Sequence, residues 1–276
     1  MKSSLRKFFL LLLAGFLFGQ SHKVSGQDFR GTPSLSNETS LQGTRSLSRA
    51  LFGKPPVKVI LIGDSLSFGP FGERLEQLLK DRYGEKKVCV FASCGSSPES
   101  WLNGKRIYMT KCGYRQYTPN PRECYSRDFH NGRAPELVAT PKLGSIFSEY
   151  RSSLVIVQQG TNWMDQFNPK KREEYLRIGC YMRDMVKQIR TENPGAEIIW
   201  ILPPNASKYS PLVQSQIASY IRRCGEAYHF RCIDSRKITG PYVKGISGRD
   251  GVHYSEVPAT AWADKTFLKI MALVDL

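Results

Sequence analysis

A serine that follows an apolar run is the first group in this chain that could do chemistry. The run Val59–Ile62 leads through a glycine into Asp64 and Ser65, and apolar residues at helical spacing begin at Phe71. Ser65 is therefore expected where a buried strand turns into a helix, at the sheet edge where α/β proteins gather their ligands. A nearby helix N-terminus would favour negative charge developing there. The structural alternative is that Asp64 or Ser65 only caps the helix.

A nucleophilic serine needs a base, and the chain has four histidines. His22 falls in a segment expected to be removed, His130 lies in a long insertion, and His229 lies near a helix end. His253 stands in a polar turn before the last predicted helix, three residues after Asp250. A turn can bring that carboxylate to the imidazole, as an acid that orients a base requires. An Asp-x-x-His pattern alone is common, and a structural role is the alternative.

The chain between these groups alternates continuous apolar runs with amphipathic segments. Apolar strands buried on both faces are typical of parallel sheets with helices on each side. The pattern therefore predicts a three-layer α/β/α sandwich with a five-stranded parallel sheet. Strands are predicted at about 57–63, 88–92, 154–157, 196–202 and 230–233, and helices at about 71–83, 171–191, 211–228 and 258–273.

Two further motifs follow predicted strands. Gly95 comes after the second strand, and Gly160, Thr161 and Asn162 come after the third. Gly-Asp-Ser, this glycine, Gly-x-Asn and Asp-x-x-His thus occur in order at predicted carboxyl edges. Together they resemble the motifs of the SGNH hydrolases, also called the GDSL esterase and lipase family, over about Val57–Leu273.

The resemblance implies a flavodoxin-like strand order for the predicted sheet and a role for each matching residue. Ser65 would be the nucleophile, His253 the general base and Asp250 the residue that orients His253. The oxyanion hole would consist of the backbone N–H groups of Ser65 and Gly95 and the side-chain amide of Asn162. No cofactor is implied, and the sequence has no zinc-type spacing of His and Cys ligands.

Residues 96–153 interrupt the alternation with a stretch rich in Gly, Pro, Arg and Lys, which compact members of the family lack. A long insertion on the rim of a sheet usually shapes a binding site. The alternative is a structural flap tied by disulfides. Its aromatic residues include Trp101, Tyr108, Tyr114, Tyr117, Tyr125 and Phe129.

The seven cysteines are an odd number, so at least one thiol stays unpaired in the monomer. Cys94, Cys112 and Cys124 lie in or beside the insertion, where a bridge would offset the entropy of ordering a long loop. Cys224 and Cys232 flank a predicted helix-to-strand turn and could also pair. The connectivity remains open.

The N-terminal residues predict export. Residues 1–26 combine basic residues, an apolar run at 8–18 and small residues at 24–26, as secretory signals do. The run is shorter than the roughly 20 residues that span a bilayer, so no transmembrane segment is expected in the mature chain. A flexible lead is predicted at 27–56 and the hydrolase domain at 57–276. The expected location is secreted, periplasmic or at the cell envelope.

The chain is strongly basic, with 40 Lys+Arg against 24 Asp+Glu. Removing the four cationic residues of the expected signal leaves 36 against 24, or +12. Such a charge could attract an anionic cell-envelope polymer, although a basic surface without a partner is an equal alternative. No nucleic-acid motif is present, so nucleic acid is not an expected partner.

The motifs exclude several other enzyme classes. The sequence lacks Gly-x-Ser-x-Gly, the dinucleotide glycine pattern and a Walker loop. The predicted function is an exported serine esterase that hydrolyses carboxylic esters, with O-acetyl groups on a polysaccharide as the expected substrate and a preference for short acyl chains. The alternatives are a lipase or lysophospholipase of the same family, or an inactive carbohydrate-binding module.

Overall fold

A computed structural model describes residues 56–110, 112–128, 137–165, 167–168 and 171–275. The predicted signal at 1–26, nearly all of the predicted lead, His22 and His130 lie outside these residues. The first strand begins at Pro56, at the predicted end of the lead. Within the described residues, no helix is long and apolar enough to cross a membrane.

A single mixed sheet organises the domain. Its strand order is β4-β3-β2-β1-β5-β6-β7, and β2, β1, β5, β6 and β7 run parallel. These five strands have the predicted flavodoxin-like order, because the chain starts in the middle and reverses direction once. The strands are β1 (Pro56–Gly63), β2 (Val88–Ser93), β3 (Gly113–Tyr117), β4 (Tyr125–Asp128), β5 (Arg151–Gln158), β6 (Glu197–Ile201) and β7 (Arg231–Ile233).

Helices cover both faces of the sheet, as predicted. The last helix begins two residues before its predicted start, because Pro258 is tolerated in the first turn of a helix. The helices are α1 (Ser65–Phe68), α2 (Pro70–Tyr83), α3 (Pro98–Trp101), α4 (Leu143–Glu149), α5 (Arg172–Glu192), α6 (Pro211–Tyr228), α7 (Arg236–Thr239) and α8 (Glu256–Val274). Short 3-10 turns occur at Glu85–Lys87, Pro121–Glu123 and Thr161–Trp163.

The strand pleat divides the core into two layers. Ile60 and Ile62 of β1 point into the layer under α4, α5 and α6, whereas Val59 and Leu61 point into the layer under α2 and α8. In the second layer the rings of Phe71 and Trp262 stack with their centroids 3.5 Å apart. The contact joins α2, which follows the predicted nucleophile, to α8, which follows the predicted base.

The insertion extends the sheet, which the sequence did not predict. β3 pairs antiparallel with β2, placing Tyr114 opposite Ser93, and β4 pairs antiparallel with β3. The five-stranded prediction was therefore incomplete, since the sheet has these two further strands at one edge.

One disulfide joins Cys94, directly after β2, to Cys112, directly before β3. It ties the insertion to the edge where the predicted site residues gather. Cys124, Cys224 and Cys232 are thiols in this structure, so the alternative pairing of Cys224 with Cys232 is not formed.

Candidate active site

Ser65 lies at the start of α1, directly after the central strand β1. Asp64 is the N-cap, and its Oδ1 accepts a hydrogen bond from the Leu66 N–H at 2.9 Å. The first N–H groups of a helix have no intrahelical acceptor, so the Ser65 N–H is placed to donate outside the helix. The capping alternative thus describes Asp64 correctly and leaves the Ser65 hydroxyl available.

The Ser65 hydroxyl contacts the imidazole predicted as its base. His253 Nε2 lies 2.9 Å from Ser65 Oγ, across 188 residues of sequence. On the other side of the ring, His253 Nδ1 lies 2.5 Å from Asp250 Oδ2. This hydrogen-bonded series is the arrangement in which a base activates a serine and a carboxylate orients the base.

Asp250 is held as a carboxylate. Burial acts to raise its pKa, but hydrogen bonds from the His253 ring and from the N–H groups of His253 and Val252 outweigh it and lower the pKa to about 2. Asp250 is therefore negatively charged at any pH near neutrality. Its charge fixes a proton on His253 Nδ1 and leaves Nε2 to face Ser65.

The turn that carries His253 is held by close backbone packing. Tyr242 Oη donates to the His253 carbonyl at 3.0 Å. A Cβ on Gly248 would lie 1.9 Å from the same oxygen, so only glycine fits there. Gly251 has φ +86°, which also favours glycine. These contacts fix the turn directly before α8 and thereby the position of the His253 imidazole.

The predicted oxyanion residues meet at Ser96. Asn162 Nδ2 donates to the Ser96 carbonyl at 2.8 Å, and Ser96 directly follows Gly95. A side-chain amide carries two hydrogens, so the second can serve another acceptor. Ser96 Oγ in turn lies 3.4 Å from the Gly63 carbonyl at the end of β1. The loops after β1, β2 and β5 thus converge at one end of the sheet.

Gly95 needs to be glycine for two reasons. Its φ of +79° lies in the left-handed region. A Cβ there would lie 2.3 Å from Tyr108 Oη. The side chain of Tyr108, in the insertion, therefore packs directly against the loop that carries the predicted donor.

A mainly apolar pocket opens beside Ser65. It has a volume of about 270 Å³, and the disulfide forms part of its wall. The sequence-based expectation of a short-chain site rested on Ser and Gly near Ser65, whereas the fold adds aromatic side chains from α1, α2 and α8. The lining includes Leu66, Phe68, Phe71, Tyr254, Ala259 and Trp262.

A second and more polar recess adjoins Gly95. It has a volume of about 580 Å³ and is formed mostly by residues of the insertion. Lys105 and Arg106 bring positive charge, while Tyr108 and Tyr181 bring aromatic rings. The Lys105 ammonium lies 5.6 Å from the centroid of the Tyr181 ring.

The other candidate groups lie elsewhere. His229 is exposed at the C-cap of α6 with φ +55°, and its carbonyl accepts from Arg190 at 2.8 Å. This placement suits the structural role that was its alternative. Among the described residues, no cluster of three or more His, Cys, Asp or Glu side chains could hold a metal ion.

Sequence reasoning missed several residues that support the site. Tyr108 and Thr110 reach the Cys94 carbonyl, and Arg115 donates to the Ser67 carbonyl of α1 at 2.8 Å. The sequence held no signal for these contacts, because the burial of Arg115 and the strand that carries it became visible only with the structure.

The comparisons identify the fold. No protein-family model matches the sequence, and no curated protein matches it. Similar solved structures include a peptidoglycan O-acetylesterase, with a TM-score of 0.51, 14% identity, and coverage of 84% of this chain and 95% of the other. A carbohydrate acetylesterase from Sinorhizobium meliloti has a TM-score of 0.50 and 14% identity, covering 79% of this chain and 99% of the other. An aryl esterase from M. smegmatis has a TM-score of 0.50 and 15% identity, covering 79% of this chain and 100% of the other.

At such low identity, these similarities concern the architecture. The matched part covers 79–84% of this chain. The chain therefore has the SGNH hydrolase fold.

Proposed function

We propose that the protein is a serine hydrolase of carboxylic esters. The observation that carries the proposal is the contact of Ser65 Oγ with His253 Nε2, with His253 Nδ1 held by Asp250. Ser65 Oγ attacks the ester carbonyl carbon while its proton passes to Nε2. The tetrahedral intermediate collapses to an acyl-serine, and the leaving alcohol takes that proton. Water then attacks the acyl-serine by the same route and releases the acid.

The negative oxygen of each tetrahedral intermediate would be bound by three donors. These are the N–H groups of Ser65 and Gly95 and the side-chain amide of Asn162, whose loops converge at Ser96. Neutral donors at fixed positions stabilise such an oxygen without titrating. Removing one donor typically costs about 10²–10³ in kcat.

We infer that the substrate is an O-acetyl ester of an extracellular carbohydrate. The recess beside Gly95 supports this inference, because Tyr108 and Tyr181 supply aromatic rings for contact with sugars. Lys105 and Arg106, against the single carboxylate of Glu99, give its lining a net positive charge that suits an acidic glycan. Two of the similar structures are named as acetylesterases of peptidoglycan and carbohydrate. Export after removal of residues 1–26 is part of this proposal, and the N-terminal sequence of the exported protein tests it.

The apolar pocket favours a second candidate, an esterase or lipase for larger acyl groups. Its 270 Å³ is close to the lower end of ligand pockets, about 300–1,000 Å³. That space is far more than the methyl group of an acetyl ester fills. An octanoyl chain could bury several methylene groups there, each worth about 0.8 kcal/mol.

Hydrolysis of acetyl and octanoyl p-nitrophenyl esters tests the catalytic proposal. The protein from Gln27 onward should turn over at least one ester, and Ser65→Ala and His253→Ala should each lose at least about 10³-fold in kcat. Ser148→Ala and His229→Gly are matched controls, because both side chains are exposed away from the site. Equal activity in wild type and Ser65→Ala would refute the assignment.

Narrowing the apolar pocket separates the two substrate candidates. Ala259 lines the pocket and is 1% exposed, so Ala259→Leu should project into it. If the pocket binds the acyl chain, octanoyl hydrolysis should fall about tenfold relative to acetyl hydrolysis. An unchanged ratio, with wild-type activity on an acetylated glycan, would favour the acetylesterase.

The inactive carbohydrate-binding alternative predicts a different result. Wild type and Ser65→Ala would then bind a glycan equally, and neither would release acetate from it. Release of acetate by wild type alone contradicts that alternative.

A further inference from the structure

The peptide unit between Cys94 and Gly95 carries two groups that affect the proposed reaction, the Gly95 N–H and the Cys94 carbonyl. Its N–H belongs to Gly95 and is the proposed oxyanion donor, so the inference below rests on the proposed function. In a trans peptide the carbonyl points away from the N–H. Whatever holds the Cys94 carbonyl therefore also sets the direction of the Gly95 N–H.

Two hydroxyl groups of the insertion reach this carbonyl. Tyr108 Oη donates to the Cys94 oxygen at 3.1 Å. Thr110 Oγ1 lies 3.0 Å from the same oxygen and 2.8 Å from the Gly113 carbonyl, and it has one proton to share between them. Thr110 is fully buried, so bulk water does not compete for the two contacts of its hydroxyl.

The orientation of this peptide must be fixed by other groups, because the backbone of Gly95 does not restrict it. Rotating the plane of the 94–95 peptide changes ψ of Cys94 together with φ of Gly95, and glycine accepts both positive and negative φ at little cost. The disulfide fixes the side chain of Cys94 but leaves this rotation free. A rotated peptide would turn its carbonyl, rather than its N–H, toward the substrate oxygen.

The insertion holds both hydroxyls in place. The Thr110 N–H donates to the Val138 carbonyl at 3.0 Å, and the Tyr108 carbonyl accepts from the Thr140 N–H at 2.8 Å. Two stretches of the insertion thereby pair beside the oxyanion loop, and the Cys112 end of the disulfide lies between Thr110 and β3.

We propose that Tyr108 and Thr110 are positioning residues for the oxyanion hole. Their hydroxyls fix the 94–95 peptide so that the Gly95 N–H faces the developing oxyanion. By hydrogen-bonding the carbonyl they also polarise the peptide, which strengthens its N–H as a donor. The insertion thus supports transition-state binding, in addition to shaping the recess beside Gly95.

Removing the hydroxyls tests this role. Tyr108→Phe and Thr110→Val should each lower kcat about three- to tenfold, and the double variant about 10²-fold, approaching the loss of one oxyanion donor. KM for p-nitrophenyl acetate should change less than about twofold, because the loss is confined to the transition state. Thr110→Ser keeps a hydroxyl and should recover most of the activity lost in Thr110→Val.

A control distinguishes positioning from general structural damage. Thr118→Val removes another buried hydroxyl of the insertion, one that contacts the Asn120 carbonyl at 3.0 Å instead of the Cys94 carbonyl. It should lower the urea midpoint about as much as Thr110→Val does while leaving kcat within about twofold of wild type. Equal losses of kcat in both variants would overturn the proposal.

A structural readout keeps this test separate from the proposed function. A crystal structure of the double variant should show the 94–95 peptide rotated or in two orientations. An unrotated peptide with wild-type kcat would overturn the positioning role while leaving the serine esterase intact. Failure of the esterase itself would instead appear as equal activity in wild type and Ser65→Ala.

Discussion

Asp64 differs from Asp250 although both carboxyl groups lie near His253. Asp64 is completely buried, and its Oδ1 accepts a hydrogen bond from the Leu66 N–H at 2.9 Å. Burial is the main cause that raises its pKa to about 7, against lowering contributions from the Leu66 N–H and from His253. Asp250 therefore stays charged near neutral pH, whereas Asp64 changes charge there.

Replacing Asp64 should change how stability depends on pH. The folded pKa of about 7 is above the ordinary value of 3.8, so the folded protein holds a proton that the unfolded chain has lost between these values. The group's contribution to the free energy of unfolding is therefore greatest below about pH 4 and decreases as the pH rises to about 7. Asp64→Asn, which keeps a good N-cap, should lose less stability than wild type between pH 5 and pH 8.

Urea unfolding at these two pH values measures the difference. Asp184→Asn, on the surface of α5, controls for the loss of one negative charge. If wild type and Asp64→Asn show the same change in unfolding free energy from pH 5 to pH 8, the carboxyl group is not protonated in the fold.

Single residues were predictable where a family motif contains them. Ser65, Gly95, Asn162, Asp250 and His253 were singled out by their order along the chain, and the structure brings their loops to one edge. Tyr108 and Thr110 carry no such signal, because their contact with the Cys94 carbonyl depends on the path of the insertion. Their roles as hydrogen-bond donors became visible only with the fold.

At the scale of elements, the insertion is the part the sequence described least well. β3 places a buried Arg115 in the middle of a five-residue strand, which disturbs the polar and apolar alternation. All four residues of β4 are exposed, so no apolar pattern marks that strand. By contrast, α2 and α6 have long amphipathic patterns and lie within one residue of their predicted bounds.

The disulfide between β2 and β3 should stabilise the domain. It joins residues separated by 18 positions, for which loop entropy gives roughly 3 kcal/mol. The double variant Cys94→Ala/Cys112→Ala should therefore lower the free energy of unfolding by about 3 kcal/mol in urea. Cys180→Ala removes an exposed thiol and is the control. A loss below about 1 kcal/mol would mean that the paired strands alone order this segment.

At the scale of the whole molecule, the alternation of apolar strands with amphipathic helices predicted the architecture. The net charge followed from the numbers of charged residues in the sequence. The parallel core was predictable because strands buried on both faces are apolar throughout. The distribution of charge around the site was not, since Lys105 and Arg106 meet Gly95 only through the fold of the insertion. A functional effect of the positive charge can be tested only once the structure shows which basic residues lie beside the site.

Salt should affect an acidic substrate selectively. Raising the ionic strength from about 0.05 M to about 0.5 M shortens the screening length to below about 5 Å. KM for an acetylated acidic glycan should rise severalfold, while KM for uncharged p-nitrophenyl acetate stays constant. Lys105→Ala and Arg106→Ala should reduce this salt effect, and Lys237→Ala, exposed on α7, should not. The same salt effect in all variants would locate the attraction away from the recess.

Ser65 and His253 are 188 positions apart in the sequence, and this separation has a consequence for biosynthesis. Translation delivers the proposed nucleophile early, whereas its base arrives just before the final helix. A ribosome-bound chain that lacks α8 cannot stack Trp262 on Phe71 or present His253 to Ser65. The growing polypeptide is therefore expected to lack the proposed esterase activity until α8 has been made and has packed on α2.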